Sequence, residues 1–205
     1  MNPFQSITCG PYQTQVYYAI GSHSALVIDA APGSFDTLKS LLIGKKVQVL
    51  LTHGHWDHVA DASKFKQELY ATLYGHSADS DWFNGIHQPS VMLPGAQYTP
   101  FTPNHWLQNN QIIETFIGDF QVLHLPGHTA GCVGFHLASS GILFSGDTLF
   151  CDAVGRTDLT DGSFKALATS IDKLLQLPLT TQVFPGHGGS TTLQEAKVFW
   201  DNEYR

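Results

Sequence analysis

The stretch that most limits what this chain can become is Thr52-His53-Gly54-His55-Trp56-Asp57-His58, a His-x-His-x-Asp-His pattern directly after the apolar run 47–51. A short apolar run of this kind suits a strand buried on both faces, and such a strand presents functional groups at its C-terminal end. Alternation along an extended chain places His53 and His55 on one side, whereas Asp57 and His58 open the following turn and face a second position. One ordinary site cannot use all four side chains. The pattern therefore predicts two neighbouring metal positions.

The rest of the chain reads as a scaffold for that stretch. With 205 residues, 42% of them hydrophobic, it can bury a proper core. Segments 14–20 and 24–29 flank Gly21-Ser22-His23 as a hairpin, with 4–9 as a further strand. Ala30-Ala31-Pro32-Gly33 breaks the sheet, and Ser34 is placed as the cap of a helix that aligns Phe35, Leu38, Leu41 and Leu42 and ends at Gly44. A helical pattern runs from His58 to about Leu69, followed by a strand at 71–74 and a helix through Phe83. Residues 84–110 are rich in Pro, Asn, Gln and Gly without a period, and read as a long loop able to shape or cover a cleft.

The second half repeats the style, with a hairpin over 112–117 and 120–125, strands at 132–137 and 142–145, a helix over 163–177, a strand at 182–184 and a closing helix over 193–202. Strands then helices in each half predict an α/β (α+β) fold, a four-layer αββα sandwich. We expect one domain, 1–205, made of two similar halves, about 1–110 and 111–205.

Three further strand ends carry a ligand-type residue in a glycine turn: Pro126-Gly127-His128, Ser145-Gly146-Asp147 and Pro185-Gly186-His187. Glycine there permits close backbone approach or an unusual φ. Together with the opening motif they supply five imidazoles and two carboxylates. That donor set suits zinc, iron or manganese and not calcium, which prefers oxygen alone.

These motifs, in this order, resemble the metallo-β-lactamase superfamily. The resemblance implies that His53, His55 and His128 hold a first metal, that Asp57, His58 and His187 hold a second, and that Asp147 bridges them. Two divalent ions per chain are expected, zinc first, with iron or manganese as alternatives. Within the superfamily, Thr-His-Gly-His-Trp-Asp-His, Leu-Pro-Gly-His-Thr-Ala-Gly, Ser-Gly-Asp-Thr-Leu-Phe and Phe-Pro-Gly-His-Gly are most similar to glyoxalase II and its short bacterial relatives, hydrolases of 2-hydroxyacyl-glutathione thioesters such as S-lactoylglutathione. Classical members add a C-terminal helical domain with basic residues for glutathione, and this sequence ends soon after His187. Arg156 matches a basic residue of the family and is a candidate for binding substrate or for pairing with Asp158. The segment Gly155-Arg156-Thr157-Asp158 also resembles persulfide dioxygenases, which use one iron held by two His and one Asp. A non-catalytic metal-binding module is the third reading.

For the hydrolase, a metal-bound hydroxide is the expected nucleophile, since coordination lowers the pKa of water from 15.7 to roughly 7. With Asp57, Asp147 and that hydroxide the centre carries a formal charge of about +1, which favours an anionic transition state. A thiolate leaves without an acid because its conjugate pKa is only ~8.5. Asp57 is foremost a ligand and secondarily a proton carrier.

Net charge −7 opposes nucleic acid and anionic membranes, so the expected partner is a small-molecule thioester. Cys9, Cys132 and Cys151, odd in number and widely spread, are expected to form neither a disulfide framework nor a cysteine metal site, and with no basic leader or long apolar run a cytoplasmic location is expected. Cys151 is expected to be buried. His23, His76, His87, His105, His124 and His136 receive structural roles, and Trp56 a packing or lid role.

Overall fold

The computed structural model describes residues 3–205. Six strands form a first sheet in chain order: β1 (Gln5–Cys9), β2 (Thr14–Ile20), β3 (Ser24–Ile28), β4 (Lys46–Leu50), β5 (Thr72–His76) and β6 (His105–Leu107). Pairing is antiparallel through β3 and parallel beyond it. The second sheet runs in the mirrored order from β7 (Ile112–Thr115) through β8 (Gly118–His124), β9 (Val133–Leu137), β10 (Ile142–Gly146) and β11 (Gln182–Pro185) to β12 (Thr191–Thr192). The helices are α1 (Ser34–Leu42), α2 (Trp56–Val59), α3 (Ala62–Glu68), α4 (Ser80–Phe83), α5 (Phe164–Leu174) and α6 (Leu193–Tyr204). A parallel pair needs a long crossover, which α1 supplies between β3 and β4.

The period-two alternation of the strands sorts the core into three layers. Val16, Tyr18, Ala25, Val27, Val47 and Val49 turn toward Phe35, Leu38 and Leu42 of α1 and Phe65 of α3. The intervening residues Tyr17, Leu26, Ile28 and Leu50 face Phe120, Val122, Phe135 and Phe144 of the second sheet. On that sheet's far side Leu123, Leu143 and Val183 meet Leu167, Ile171 and Leu174 of α5 and Leu193, Ala196 and Trp200 of α6. The fold is the four-layer αββα sandwich that the pattern predicts. No helix among the described residues is long and apolar enough to cross a membrane.

Several local expectations are corrected. Ser34 does not cap α1: Gly33, at φ 86°, occupies that position and the Ser34 side chain is buried within the first turn. The capping acceptor is Asp61, whose Oδ2 receives Gly33 N at 2.8 Å and Phe35 N at 3.1 Å. That same turn of chain splits the helix expected from His58 to Leu69, because Asp61 N donates to Ala30 O at 2.9 Å instead of continuing α2. The strand expected at 71–74 is shifted to Thr72–His76, and the loop 84–110 contains a 3-10 turn, Gln88–Ser90, and the edge strand β6. Cys151 is exposed, on a turn beyond β10 and outside the core.

Candidate metal centre

The four ligand-bearing turns lie together at the rim where the two sheets meet, and backbone bonds lash them to one another. Gly186 N donates to Gly146 O at 2.9 Å, Gln15 N donates to Gly186 O at 2.7 Å, and Val133 N donates to Thr52 O at 2.8 Å. The Pro126-Gly127-His128 turn is seated on α5: Ser163 N donates to Gly127 O at 2.8 Å and Ser170 Oγ to Pro126 O at 2.7 Å. Gly186 is required by approach, since a Cβ there would lie 2.1 Å from Asp147 Oδ1.

All seven residues expected from the sequence converge. His53, His55 and His128 form one group whose ligand atoms lie within 4.8 Å of one another, and Asp57, His58 and His187 form another. Asp147 lies between them, with Oδ2 3.5 Å from His128 Nε2 and 3.3 Å from His187 Nε2, and Oδ1 3.4 Å from His58 Nε2. His58 and His187 direct their Nε2 atoms at the same point, 3.2 Å apart, with Asp57 Oδ2 at 3.4 and 3.3 Å.

The rear of four of the five imidazoles is fixed as well. His128 Nδ1 donates to Arg156 O at 2.8 Å, His187 Nδ1 to Tyr12 O at 3.0 Å, and His58 Nδ1 to Asp29 Oδ2 at 2.8 Å. His53 Nδ1 meets Thr52 Oγ1 at 3.1 Å, and that hydroxyl gives its own proton to Asp29 at 2.8 Å. Carbonyl and carboxylate oxygens only accept, so Nδ1 of these rings carries a proton and Nε2 is the atom turned toward the centre. Thr14 Oγ1 donates to Asp57 Oδ2 at 2.9 Å. Thr14, Asp29, Thr52 and the Tyr12 carbonyl are the members that the sequence reading missed. The one available signal was Asp29 closing an apolar strand at the level where Thr52 follows its neighbour, as the Ile28–Leu50 register places them.

The residues fit a divalent cation. Nε2 of His53, His55 and His128 are buried without a hydrogen-bond partner, as is Asp147 Oδ1, an arrangement costly unless a cation or water fills it. Burial holds the His53, His55 and His128 imidazoles below their ordinary range, His55 at about 3, so their lone pairs are free. Burial opposes charge on His58 and His187 too, yet Asp147, Asp57 and Asp29 raise His58 to about 9, and bonds to Asp147 and Asp57 raise His187 to about 11. These two imidazoles sit where positive charge is wanted.

The centre floors a cavity of about 480 Å³ walled by Tyr12, Val91, Met92, Phe150 and Leu159, with Arg156 at its mouth. Loop 84–110 supplies one wall and is tied down by Tyr12 Oη donating to Val91 O at 3.1 Å and Trp56 Nε1 donating to Gln97 O at 3.2 Å. Trp56 packs edge-on against Tyr12. The exposed Arg156 guanidinium makes a bidentate pair with Asp158, both bonds 2.7 Å.

Among the remaining histidines, His76 stacks on His124 with centroids 4.2 Å apart, and burial followed by repulsion from His124 lowers His76 to about 4. The folded form thus resists protonation while the unfolded chain accepts it near 6.5, so stability is lost as pH falls from 6.5 toward 4. We expect His76→Gln to flatten that limb by about 1–2 kcal/mol, allowing for screening of a half-exposed ring. Urea midpoints measured from pH 4 to 7 check it.

A family model described as the metallo-beta-lactamase superfamily matches residues 9–187. A curated relative, hydroxyacylglutathione hydrolase GloC of Haemophilus influenzae, is 36% identical over 182 residues, covering 85% of this chain and 84% of that protein. Among solved structures, BLEG-1 B3 metallo-beta-lactamase superposes with a TM-score of 0.84 at 32% identity, covering 94% of this chain and 95% of that one. TTHA1623, in a di-iron-bound form, gives 0.79 at 34% identity, covering 93% and 96%. With the sandwich, the rim site and its His and Asp groups in place, the chain belongs to the metallo-β-lactamase superfamily.

Proposed function

We propose that this protein is a two-metal thioester hydrolase acting on S-2-hydroxyacyl-glutathione or a similar small thioester, with zinc first and iron or manganese as alternatives. The observation that carries this reading is the pair of His/Asp groups, joined by Asp147, on the floor of a cavity sized for a small molecule. The likeness to GloC supports the thioester. His53, His55, His128 and Asp147 would hold one cation, and Asp57, His58, His187 and Asp147 the other. Held there, two divalent cations supply an acidified water and a polarised acyl carbonyl.

The chain's own groups do the rest. Asp29 keeps His58 in the required tautomer, Thr14 orients Asp57, and the backbone carbonyls of Tyr12 and Arg156 hold His187 and His128. Val91, Met92, Phe150 and Leu159 present apolar surface to the acyl group and limit water beside it. The departing thiolate needs no proton donor, given a conjugate pKa of ~8.5. Arg156, freed from Asp158, is placed to receive a substrate carboxylate at the mouth. No serine, cysteine or lysine nucleophile is needed.

Purified protein loaded with zinc, iron or manganese is expected to hydrolyse S-lactoylglutathione, measured as loss of the thioester absorbance. The same loaded samples are assayed on a β-lactam, because the B3 enzyme is a close structural match, and for oxygen uptake with glutathione persulfide. Turnover confined to the β-lactam, or oxygen uptake by protein holding one iron per chain, would replace the thioester reading.

A further inference from the structure

The segment directly behind the first group of histidines carries a set of buried contacts that chemistry at the centre does not use. Asp79 is fully buried at the N-terminal edge of α4. Its Oδ2 accepts Gly54 N at 2.7 Å and Thr129 Oγ1 at 2.8 Å, and its Oδ1 accepts Gly131 N at 2.6 Å. Gly54 is the residue between His53 and His55, and Thr129 follows His128. One carboxylate therefore joins the two loops that carry all three imidazoles of that group. Gln88, 1% exposed, holds the same residue through its carbonyl, its Nε2 donating to Gly54 O at 2.7 Å and to Trp82 O at 2.9 Å. Between them Trp82 lies edge-on to the His55 ring at 4.5 Å.

The loops are shaped for this clamp. A Cβ at Gly54 would fall 2.4 Å from the Trp82 Cβ, and one at Gly131 would fall 2.5 Å from the Asp79 carboxylate. The two glycines thus let buried side chains reach the backbone at van der Waals limit. Charge-assisted bonds to a carboxylate are shorter and stronger than neutral ones, so the Asp79 bonds tie the His53–His55 turn firmly to the His128 turn. The second group, Asp57, His58 and His187, is anchored by Thr14, Asp29 and the Tyr12 carbonyl instead.

We propose that Asp79 and Gln88 are positioning residues that preorganise the His53, His55 and His128 group for its cation and leave the Asp57, His58 and His187 group untouched. The proposal rests on the metal-centre reading above, and its test does not use turnover. Residues supporting a ligand from behind change metal affinity by about 10–100-fold when lost. Asp79→Asn keeps the shape, but its amide nitrogen must face an N–H donor.

The measurement is zinc affinity by competition with a chromophoric chelator, in two backgrounds that each cripple one group. In His187→Ala protein, Asp79→Asn is expected to weaken zinc about 10–100-fold, and in His55→Ala protein by about threefold or less. Unchanged affinity in the first background, or equal losses in both, overturns the proposal. Should Asp79→Asn fail to fold by circular dichroism, Gln88→Met removes the opposite half of the clamp without a buried charge change. It is expected to show the same selectivity at about three- to tenfold, and no loss in the first background or equal losses in both again overturn the proposal. A protein with neither site altered that binds no zinc removes the metal centre itself, whereas zinc binding that Asp79→Asn leaves unmoved removes this proposal alone.

Discussion

Asp147→Ala is expected to lower hydrolysis of whichever substrate the protein turns over by about a thousandfold, and to reduce bound metal from two ions per chain to one or fewer. Asp147 lies within 3.5 Å of the Nε2 atoms of His128, His187 and His58, and so reaches both groups. Two divalent cations held in adjoining groups would repel each other, the more so where the effective dielectric falls below that of water. The shared carboxylate offsets the repulsion directly. Its loss leaves Asp57 as the one carboxylate of the candidate ligand set and removes the element that fixes the distance between the groups.

Charge stabilisation by a correctly held cation contributes several kcal/mol to a transition state, and a thousandfold corresponds to about 4 kcal/mol. Steady-state rates together with elemental analysis check the result. Asp57→Ala serves as the comparison, because it touches one group and should leave one ion in place. Asp147→Ala protein that retains two ions and a tenth of the original rate would show that the two groups do not need their common member.

What the sequence disclosed follows from how local each signal is. His53, His55, Asp57 and His58 were legible because chemically uncommon side chains crowd into one turn, and His128, Asp147 and His187 because each sits in a glycine turn after an apolar strand. The sandwich was legible from period-two strands such as Val16-Tyr17-Tyr18, whose alternate members do separate between two core layers. Asp29, Asp61, Asp79 and Gln88 were not, because each acts on a backbone more than twenty residues away. Asp61, for instance, closes α1 from the start of α3, so a local rule hands the cap to Ser34. Cys151 was misplaced because an unpartnered cysteine reads as a small buried hydrophobe, yet the chain turns outward there while the preceding Phe150 lines the cavity.

The second large effect is expected at Asp29, where the residue holds the scaffold and the centre together. It is 1% exposed, and its carboxylate accepts Thr52 N at 2.7 Å, Thr52 Oγ1 at 2.8 Å and His58 Nδ1 at 2.8 Å. Asp29→Ala strands all three donors in a buried position, and breaking such a charged network by removing one partner costs about 3–5 kcal/mol. Its backbone adds to the loss. With φ at 64° Asp29 occupies the left-handed region, which aspartate and asparagine tolerate and alanine adopts at a cost of roughly 1 kcal/mol. Asp29→Asn separates the two contributions, because it keeps the φ preference and the side-chain volume while losing the charge. Its expected cost is about 1–3 kcal/mol. Urea unfolding of the metal-free proteins gives the ranking, with alanine well below asparagine and asparagine below aspartate. Metal titration of the same samples should show Asp29→Asn weakening the group that contains His58 by about tenfold, since an amide oxygen holds the Nδ1 proton less firmly than a carboxylate. Equal stabilities for the aspartate and alanine proteins would mean that Thr52 and His58 find other partners, and the role assigned to Asp29 would fall.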